Sequence, residues 1–175
     1  LSGTIDLTAL PLSLVTLYLN NNSLNGSINL TKVPPALSLL DLGFNKFNGS
    51  VALTQLPSSL QTLNLEANAF SGFFNFTQLP ESLEYLYLNG NDFVGPLDLA
   101  QLPPSMLELH AGNNSFTGLI NLTHLPSEMS RLDLSDNQLT GSVDLTQLPP
   151  RLVDLQLDSN NFTGTVNLTQ LPSTL

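Results

Sequence analysis

The chain has 175 residues, of which 41% are hydrophobic and 10% are charged, and its formal net charge is −10. With so few charges and a positive mean hydropathy it can bury enough apolar surface to fold, which excludes a disordered acidic tail. Its four basic residues cannot neutralise a row of phosphates, so nucleic acid is excluded as a partner. The length suits one domain.

The absence of cysteine excludes disulfides and zinc-thiolate sites. No apolar run reaches the ~18 residues of a membrane span, because polar residues, Gly or Pro interrupt every leucine cluster. Direct membrane insertion is therefore not expected. The chain begins at Leu1 without a signal-peptide pattern, which is typical of a processed chain or an excised fragment.

A 23-residue repeat organises the whole chain. Residues 1–13 match the second half of the repeat, residues 14–174 form seven complete units, and residue 175 begins another. Each unit follows the pattern L-x-x-L-x-L-x-x-N-x-(L/F)-x-G-x-(I/V/F/L)-x-L-x-x-L-P-x-x. A fixed period of this length indicates a single solenoid in which each coil packs on its neighbours.

The elements of one unit follow from its apolar spacing. In the unit that starts at residue 60, Leu63 and Leu65 predict a short strand with both side chains inward. Alternating Phe74 and Phe76 predict a second short extended segment after the invariant glycine. Gly and Pro bracket this convex part and leave no room for a helix of several turns. The predicted fold is a β-solenoid with short convex extended segments or 3-10 turns and almost no α-helix.

An asparagine follows the first strand of every complete unit, where the chain turns and leaves backbone groups without strand partners. Because an amide supplies both a donor and an acceptor, we predict a buried ladder that runs from coil to coil. The predicted ladder consists of Asn22, Asn45, Asn68, Asn91, Asn114, Asn137 and Asn160. An apolar spine dominated by phenylalanine is expected beside it, with successive coils ~4.8 Å apart.

The pattern from Leu60 to Gly72, L-x-x-L-x-L-x-x-N-x-F-x-G, resembles the leucine-rich repeat family, and the match extends over the whole chain. The first half of each unit is similar to the extracellular plant-type class. The continuation from Gly26 to Pro34, G-S-I-N-L-T-K-V-P, more closely resembles repeats in cell-surface proteins of unicellular eukaryotes. The resemblance implies a right-handed solenoid with a parallel sheet on its concave face, commonly used to bind proteins or to act as a scaffold.

The third, fifth, seventh and eighth positions of each unit are expected on the concave face. Aromatic side chains there can anchor a protein partner, and carboxylates can attract a basic one. The predicted partner-binding residues are Tyr18, Tyr85, Tyr87, Glu108, His110, Asp133, Asp154 and Asp158. The alternative is a hydrated polar face without a partner. No cofactor or metal is predicted, because the aspartates do not form a D-x-D-x-D-G calcium loop.

Nine N-x-(S/T) sequons predict N-linked glycans and hence the secretory route to an extracellular or cell-surface location. Four of them recur at one repeat position in alternate coils, and these are Asn29, Asn75, Asn121 and Asn167. The other five are Asn21, Asn25, Asn48, Asn113 and Asn161. The alternative is a duplicated two-repeat unit that carries no sugar.

Catalysis is not expected. His110 and His124 occupy different repeat positions, and no G-x-S-x-G, P-loop or H-E-x-x-H motif is present. Both ends present inward-type residues and strand edges without a cap, which predicts a longer array or end-to-end self-association. The first hypothesis is therefore a glycosylated structural or filament-forming scaffold. The alternative is a protein- or peptide-recognition module that binds through its concave face.

Overall fold

The computed structural model describes residues 1–175 as stacked coils, each of which contributes a strand to two parallel sheets. The seven-stranded sheet, called the concave sheet, contains β2 (Thr16–Tyr18), β4 (Leu39–Asp41), β6 (Thr62–Asn64), β8 (Tyr85–Tyr87), β10 (Glu108–His110), β12 (Arg131–Asp133) and β14 (Asp154–Gln156). The eight-stranded sheet, called the second sheet, contains β1 (Ser2–Gly3), β3 (Ser23–Gly26), β5 (Lys46–Gly49), β7 (Ala69–Phe73), β9 (Asp92–Pro96), β11 (Ser115–Leu119), β13 (Gln138–Gly141) and β15 (Asn161–Phe162).

The predicted β-solenoid is confirmed, and its helical content consists of 3-10 turns. These turns span Leu7–Ala9, Phe76–Gln78 and Leu99–Gln101. No helix in the structure is long and apolar enough to cross a membrane.

The two sheets differ in register. In the concave sheet Leu63 pairs with Leu86, so partners are 23 residues apart and residues at the same repeat position stand side by side. In the second sheet Phe73 pairs with Val94, so partners are only 21 residues apart. Equivalent positions in the second sheet are therefore staggered by two residues from coil to coil.

The core is one continuous apolar column between the sheets. Four rings of the spine, Phe47, Phe70, Phe93 and Phe116, have no solvent exposure. Successive ring centroids are 6.0, 6.3 and 6.3 Å apart, in nearly parallel stacks. This spacing exceeds the expected strand separation because the strands that carry the rings are staggered. The offset stack is a favourable geometry for aromatic pairs.

The ladder asparagines join the end of each concave strand to the preceding coil. In the central example, Asn91 Nδ2 donates to the carbonyls of Leu88 and Leu65, both at 3.0 Å. Its Oδ1 accepts from the backbone N–H of Phe70 at 3.0 Å. Asn91 and Asn137 are buried, and the other five lie half-buried. One side chain thus satisfies backbone groups of two coils.

The second extended segment does not lie where the sequence predicted it. The strand β7 precedes and includes Gly72, and Phe76 begins a 3-10 turn instead of continuing an extended segment. Gly72 has φ 84°, a conformation that glycine favours, and the strand ends one residue later at Phe73. Asn75 then caps the turn by accepting from the backbone N–H of Thr77 at 3.1 Å. Inward Phe74 and Phe76 give the same alternation as a strand, which explains the error.

We expect F93A to lower the free energy of unfolding by about 3–5 kcal/mol, because it opens a cavity in the middle of the phenylalanine stack. Denaturant unfolding followed by circular dichroism measures this change. V153A, at a side chain that is 52% exposed, is the control and should change stability by less than about 0.5 kcal/mol. Equal stabilities for F93A and V153A would contradict the stacked spine.

We expect N91A to cost about 1–3 kcal/mol, since it leaves two carbonyls and one N–H without their partner inside the fold. The same denaturant titration measures the loss. N48A, at an exposed amide on β5, separates loss of the ladder from loss of any amide. A melting temperature unchanged in N91A would show that the ladder amide contributes nothing.

Candidate functional site

The middle of the concave sheet carries four side chains that contact one another, called the central cluster: Tyr87, Glu108, His110 and Arg131. The rings of Tyr87 and His110 have centroids 5.1 Å apart. Glu108 Oε2 accepts from Tyr87 Oη at 3.2 Å and lies 3.5 Å from His110 Nε2. Arg131 Nη1 lies 3.6 Å from the other oxygen of Glu108. The carboxylate of Glu108 therefore fixes the positions of the groups around it.

The structure brings only part of the predicted partner-binding set together. Tyr85 pairs with Glu108 across β8 and β10 and so adjoins the central cluster. Tyr18 lies on β2, three strands from β8, or about 14 Å away. Asp154 lies on the edge strand β14, where it pairs with Arg131 and so adjoins the central cluster on its other side. Asp158 lies beyond the end of β14, and Tyr18 and Asp158 are therefore peripheral to the cluster.

Asp133, which the sequence placed on an exposed face, is only 7% exposed. Its Oδ2 accepts from Asn89 Nδ2 at 3.0 Å, and its Oδ1 accepts from the N–H and Oγ of Ser135 at 2.9 and 2.7 Å. A Cβ atom at Gly112 would come within 2.9 Å of both carboxylate oxygens. A side chain at position 112 would therefore clash with this carboxylate, and Gly112 avoids the clash.

A polar pocket of about 340 Å³ opens beside Asp133, where the concave strands end. It is lined by Glu66, Ala67, Asn89, Gly90, Gly112, Asn113, Asp133, Ser135 and Asp136. Three carboxylates and no basic residue contribute to this lining. Glu66 and Asn89 are not among the predicted partner-binding residues, although both occupy the seventh repeat position, which is predicted to lie on the concave face.

The eighth repeat position forms one edge of this pocket in a left-handed backbone conformation. Ala67, Asn113 and Asp136 have φ values of 51°, 49° and 49°, and Gly90 has φ 65°. Such angles are uncommon for residues other than glycine. Their recurrence in every coil follows from the repeat and not from the identity of the side chain.

Burial changes the protonation behaviour of two groups on this face. Desolvation raises the pKa of Glu66, an effect that nearby His110 opposes and Asp41 reinforces. Desolvation, followed by the charge of Glu108, raises the pKa of Tyr87 to about 12. Tyr87 is therefore a neutral hydrogen-bond donor at physiological pH. Nε2 of His110 is buried and makes no hydrogen bond, although Glu108 lies nearby.

All nine sequon asparagines are exposed. Those of alternate coils, Asn29, Asn75, Asn121 and Asn167, follow the second sheet on the convex side. Asn25, Asn48 and Asn161 lie within strands of the second sheet. Asn21 and Asn113 lie in the turns that follow the concave strands β2 and β10, with φ 55° and 49°.

The alternate-coil sequons form a local cap. Asn75 Oδ1 accepts from both the N–H and the Oγ1 of Thr77, at 3.1 and 2.7 Å, and Asn29, Asn121 and Asn167 make the same pair of bonds. Asp6 and Asp144 cap the equivalent turns in the same way, and these bonds lower the pKa of both carboxyls. The cap uses only the Oδ1 atom, which Asn and Asp both have. The cap therefore accounts for either residue at this repeat position, whether or not Asn carries a glycan.

The two histidines lie on different faces. His110 lies on β10, whereas His124 is exposed after a convex turn, where its Nδ1 lies 2.8 Å from Thr123 Oγ1. The structure brings together no group of three or more His, Asp and Glu side chains that could hold a metal ion.

Comparison with known proteins identifies the repeat. A family model described as Leucine Rich Repeat matches residues 13–35. The receptor kinase HAESA from Arabidopsis, solved with the peptide hormone IDA and the co-receptor SERK1, has a TM-score of 0.81 and 28% identity over 92% of this chain. A plant ice-binding protein has a TM-score of 0.76 and 26% identity over 93% of the chain. The plant peptide hormone receptor RGFR1, solved with RGF2, has a TM-score of 0.70 and 25% identity over 99%.

The chain spans 28% of the HAESA chain, 33% of the RGFR1 chain and 54% of the ice-binding protein. The similarity therefore concerns the repeat region of longer proteins. A comparison with curated protein sequences finds no match.

We expect E66Q to be more stable than the native chain at pH 7. Because the fold raises the pKa of Glu66, the free energy of unfolding decreases as pH rises from the ordinary carboxyl pKa through the raised value, and it stays lower above that. The amide cannot ionise, so this loss is absent in the variant. Melting temperatures of both proteins should converge below about pH 4. E81Q, at an exposed carboxyl, is the control, and a stability difference independent of pH would contradict the assignment.

Proposed function

Since the chain belongs to the leucine-rich repeat family, we propose that it is an extracellular recognition module that binds an extended basic peptide segment on its concave face. The observation that carries this proposal is the pocket at the ends of the concave strands, which three carboxylates line and no cation neutralises. A Lys or Arg side chain, or a free amino terminus, complements that lining.

Charge pairing elsewhere leaves the pocket carboxylates available. Arg131 lies 3.6 Å from Glu108, and Arg151 lies 2.8 Å from Glu128. No ion pair involves Glu66, Asp133 or Asp136. A cationic ligand group therefore meets carboxylates that no basic side chain of the protein neutralises, and Glu66 and Asp136 also make no side-chain hydrogen bond that it would have to break.

The central cluster supplies the apolar part of the same surface. The tilted, contacting rings of Tyr87 and His110 adjoin the pocket through β10 and β12, and the hydrogen bond from Tyr87 to Glu108 helps to hold them in place. Rigid aromatic groups beside a polar pocket are typical of sites that anchor a peptide. A side chain next to the cationic one would pack on these rings.

The comparisons support recognition over the scaffold that the sequence favoured first. HAESA and RGFR1, which this chain resembles in structure, were each solved with a peptide ligand. Their likeness also supports an extracellular location, to which the eight exposed sequons outside the pocket add the proposal of N-linked glycans. End-to-end assembly into a filament has no comparable support.

Selection of short unstructured peptides displayed on phage, against the full chain, tests the proposal. We expect the recovered peptides to be basic and E66Q/D136N to raise their dissociation constants about tenfold, or ~1.4 kcal/mol, since two charge pairs are lost. Fluorescence anisotropy with a synthetic peptide measures this change, and added salt should weaken binding to the native chain. The charge-matched control E81Q/D92N, away from the pocket, should bind like the native chain.

Two results would overturn this function. One is the recovery of peptides that bind E66Q/D136N and E81Q/D92N equally well. The other is a glycan on Asn113 in secreted protein, because Asn113 lines the pocket and a sugar there would close it.

A further inference from the structure

The second sheet carries an apolar patch on the outer face of the three central coils. The residue after the repeat glycine is Phe73, Pro96 or Leu119 in these coils, whereas the other four complete coils have Ser27, Ser50, Ser142 and Thr165. Phe73 and Leu119 are 74% and 72% exposed. Since four coils fold with a small polar residue there, the apolar side chains are not required by the core. Exposed apolar groups of this kind indicate a contact with something outside the fold.

The ring of Phe73 forms one wall of a surface groove of about 300 Å³. The groove is lined by Phe73, Phe74, Asn75, Phe76, Thr77, Pro96 and Asp98. The ring lies over Gly95, since a Cβ there would come within 2.3 Å of its Cδ1. This contact covers part of the ring and orients it, and its remaining surface faces the groove and the solvent. The groove has room for about ten water molecules.

Asn75 belongs both to this groove and to a sequon. Its Oδ1 is held by the N–H and Oγ1 of Thr77, while Asn75 is exposed and its Nδ2 makes no hydrogen bond within the chain. The sequence Phe73 to Thr77 therefore places an aromatic ring two residues before a glycan acceptor. Glycosylation at Nδ2 forms a bond to the anomeric carbon of a lipid diphosphate-linked sugar, with loss of one amide proton and departure of the lipid diphosphate.

We propose that the groove beside Phe73 seats the first N-acetylglucosamine of a glycan attached to Asn75. One face of a pyranose ring presents only C–H groups, and such a face packs on an aromatic ring while the hydroxyls remain in water. The covalent link keeps the sugar at a high effective concentration beside Phe73. The inference rests on the prediction that this sequon is used, and it is independent of peptide binding on the concave face.

Asp98 provides the polar side of the seat. Unlike Asp6 and Asp144, Asp98 makes no cap hydrogen bond, and the residue two positions later is an alanine, which has no hydroxyl to donate. Its exposed carboxylate lies in the groove without a partner and accepts from an N–H or O–H group of the sugar. The groove therefore offers both an apolar ring and a hydrogen-bond acceptor, and an N-acetylated sugar has a C–H face and polar groups that can use them.

A sugar fits the groove better than a second copy of the chain. The net charge of −10 opposes self-association, and the acceptor asparagine itself forms part of the wall. A glycan on Asn75 would also obstruct a protein partner there.

The four alternate-coil sequons allow the effect of the neighbouring side chain to be compared within one chain. Asn29, Asn75, Asn121 and Asn167 make the same cap, yet the residue two positions before them is Ser27, Phe73, Leu119 or Thr165. Only Asn75 has a ring beside it. A stabilising effect of the glycan should therefore be largest at Asn75.

A double-mutant cycle in the full chain, secreted from a glycosylating eukaryotic host, tests the proposal. N75D removes the acceptor but keeps the cap, as Asp6 and Asp144 show, and F73S introduces the serine that three other coils have at this position. We expect site-specific mass spectrometry to find a glycan on Asn75. N75D should lower the melting temperature by about 2–4 °C, the effect of one aromatic contact in a domain of this size. In the F73S background the same change should have no effect.

N29D beside Ser27 is the matched control and should shift the melting temperature by less than about 1 °C. An unmodified Asn75 would overturn the proposal at its first step. If Asn75 is glycosylated but N75D lowers the melting temperature equally in the native and F73S backgrounds, the sugar does not pack on Phe73 and the proposal is wrong. A dimer of N75D in sedimentation that F73S abolishes would assign the groove to a second copy instead.

Discussion

One asparagine amide per coil holds the two sheets of this protein in register. The amide of Asn91 donates to a carbonyl of its own coil and to one of the preceding coil, while its oxygen accepts from Phe70, where the preceding coil enters the second sheet. The end of a concave strand and the start of a second-sheet strand are thus tied by a single side chain. The geometry of the concave pocket and of the outer face both depend on this link.

The amide also explains how the repeat tolerates an unusual backbone. The residue before it has positive φ in all seven complete coils, and in two of them it is Phe44 or Ala67, which do not favour that conformation. Hydrogen bonds from the asparagine to the carbonyls around the turn fix the backbone whatever side chain precedes it. The eighth position is therefore free to vary in chemistry, and it lines the concave pocket.

The sequence alone predicted the features of the fold that recur in every 23-residue unit. The concave strands, the asparagine turn and the lack of α-helix follow from leucine spacing and from the Gly and Pro of each unit. The second strand was misplaced because Phe74 and Phe76 alternate as a strand does, while the Asn75 cap that makes a 3-10 turn has the same letters as a sequon. The burial of Asp133 could not be predicted, since its partner Asn89 lies 44 residues away and two coils back.

The two-residue stagger between successive strands of the second sheet, which offsets the stacked phenylalanine rings, also shapes the outer surface. In the concave sheet, equivalent residues stand side by side, so His110 lies between Tyr87 and Asp133, and one coil can complete a site begun by the next. In the second sheet, the two-residue offset places Phe73 over Gly95 instead of beside Pro96. A ring that rests on a glycine is held in one position yet keeps most of its surface exposed. The glycine that the repeat needs for its turn thereby becomes the support that makes an exposed aromatic side chain available for a ligand.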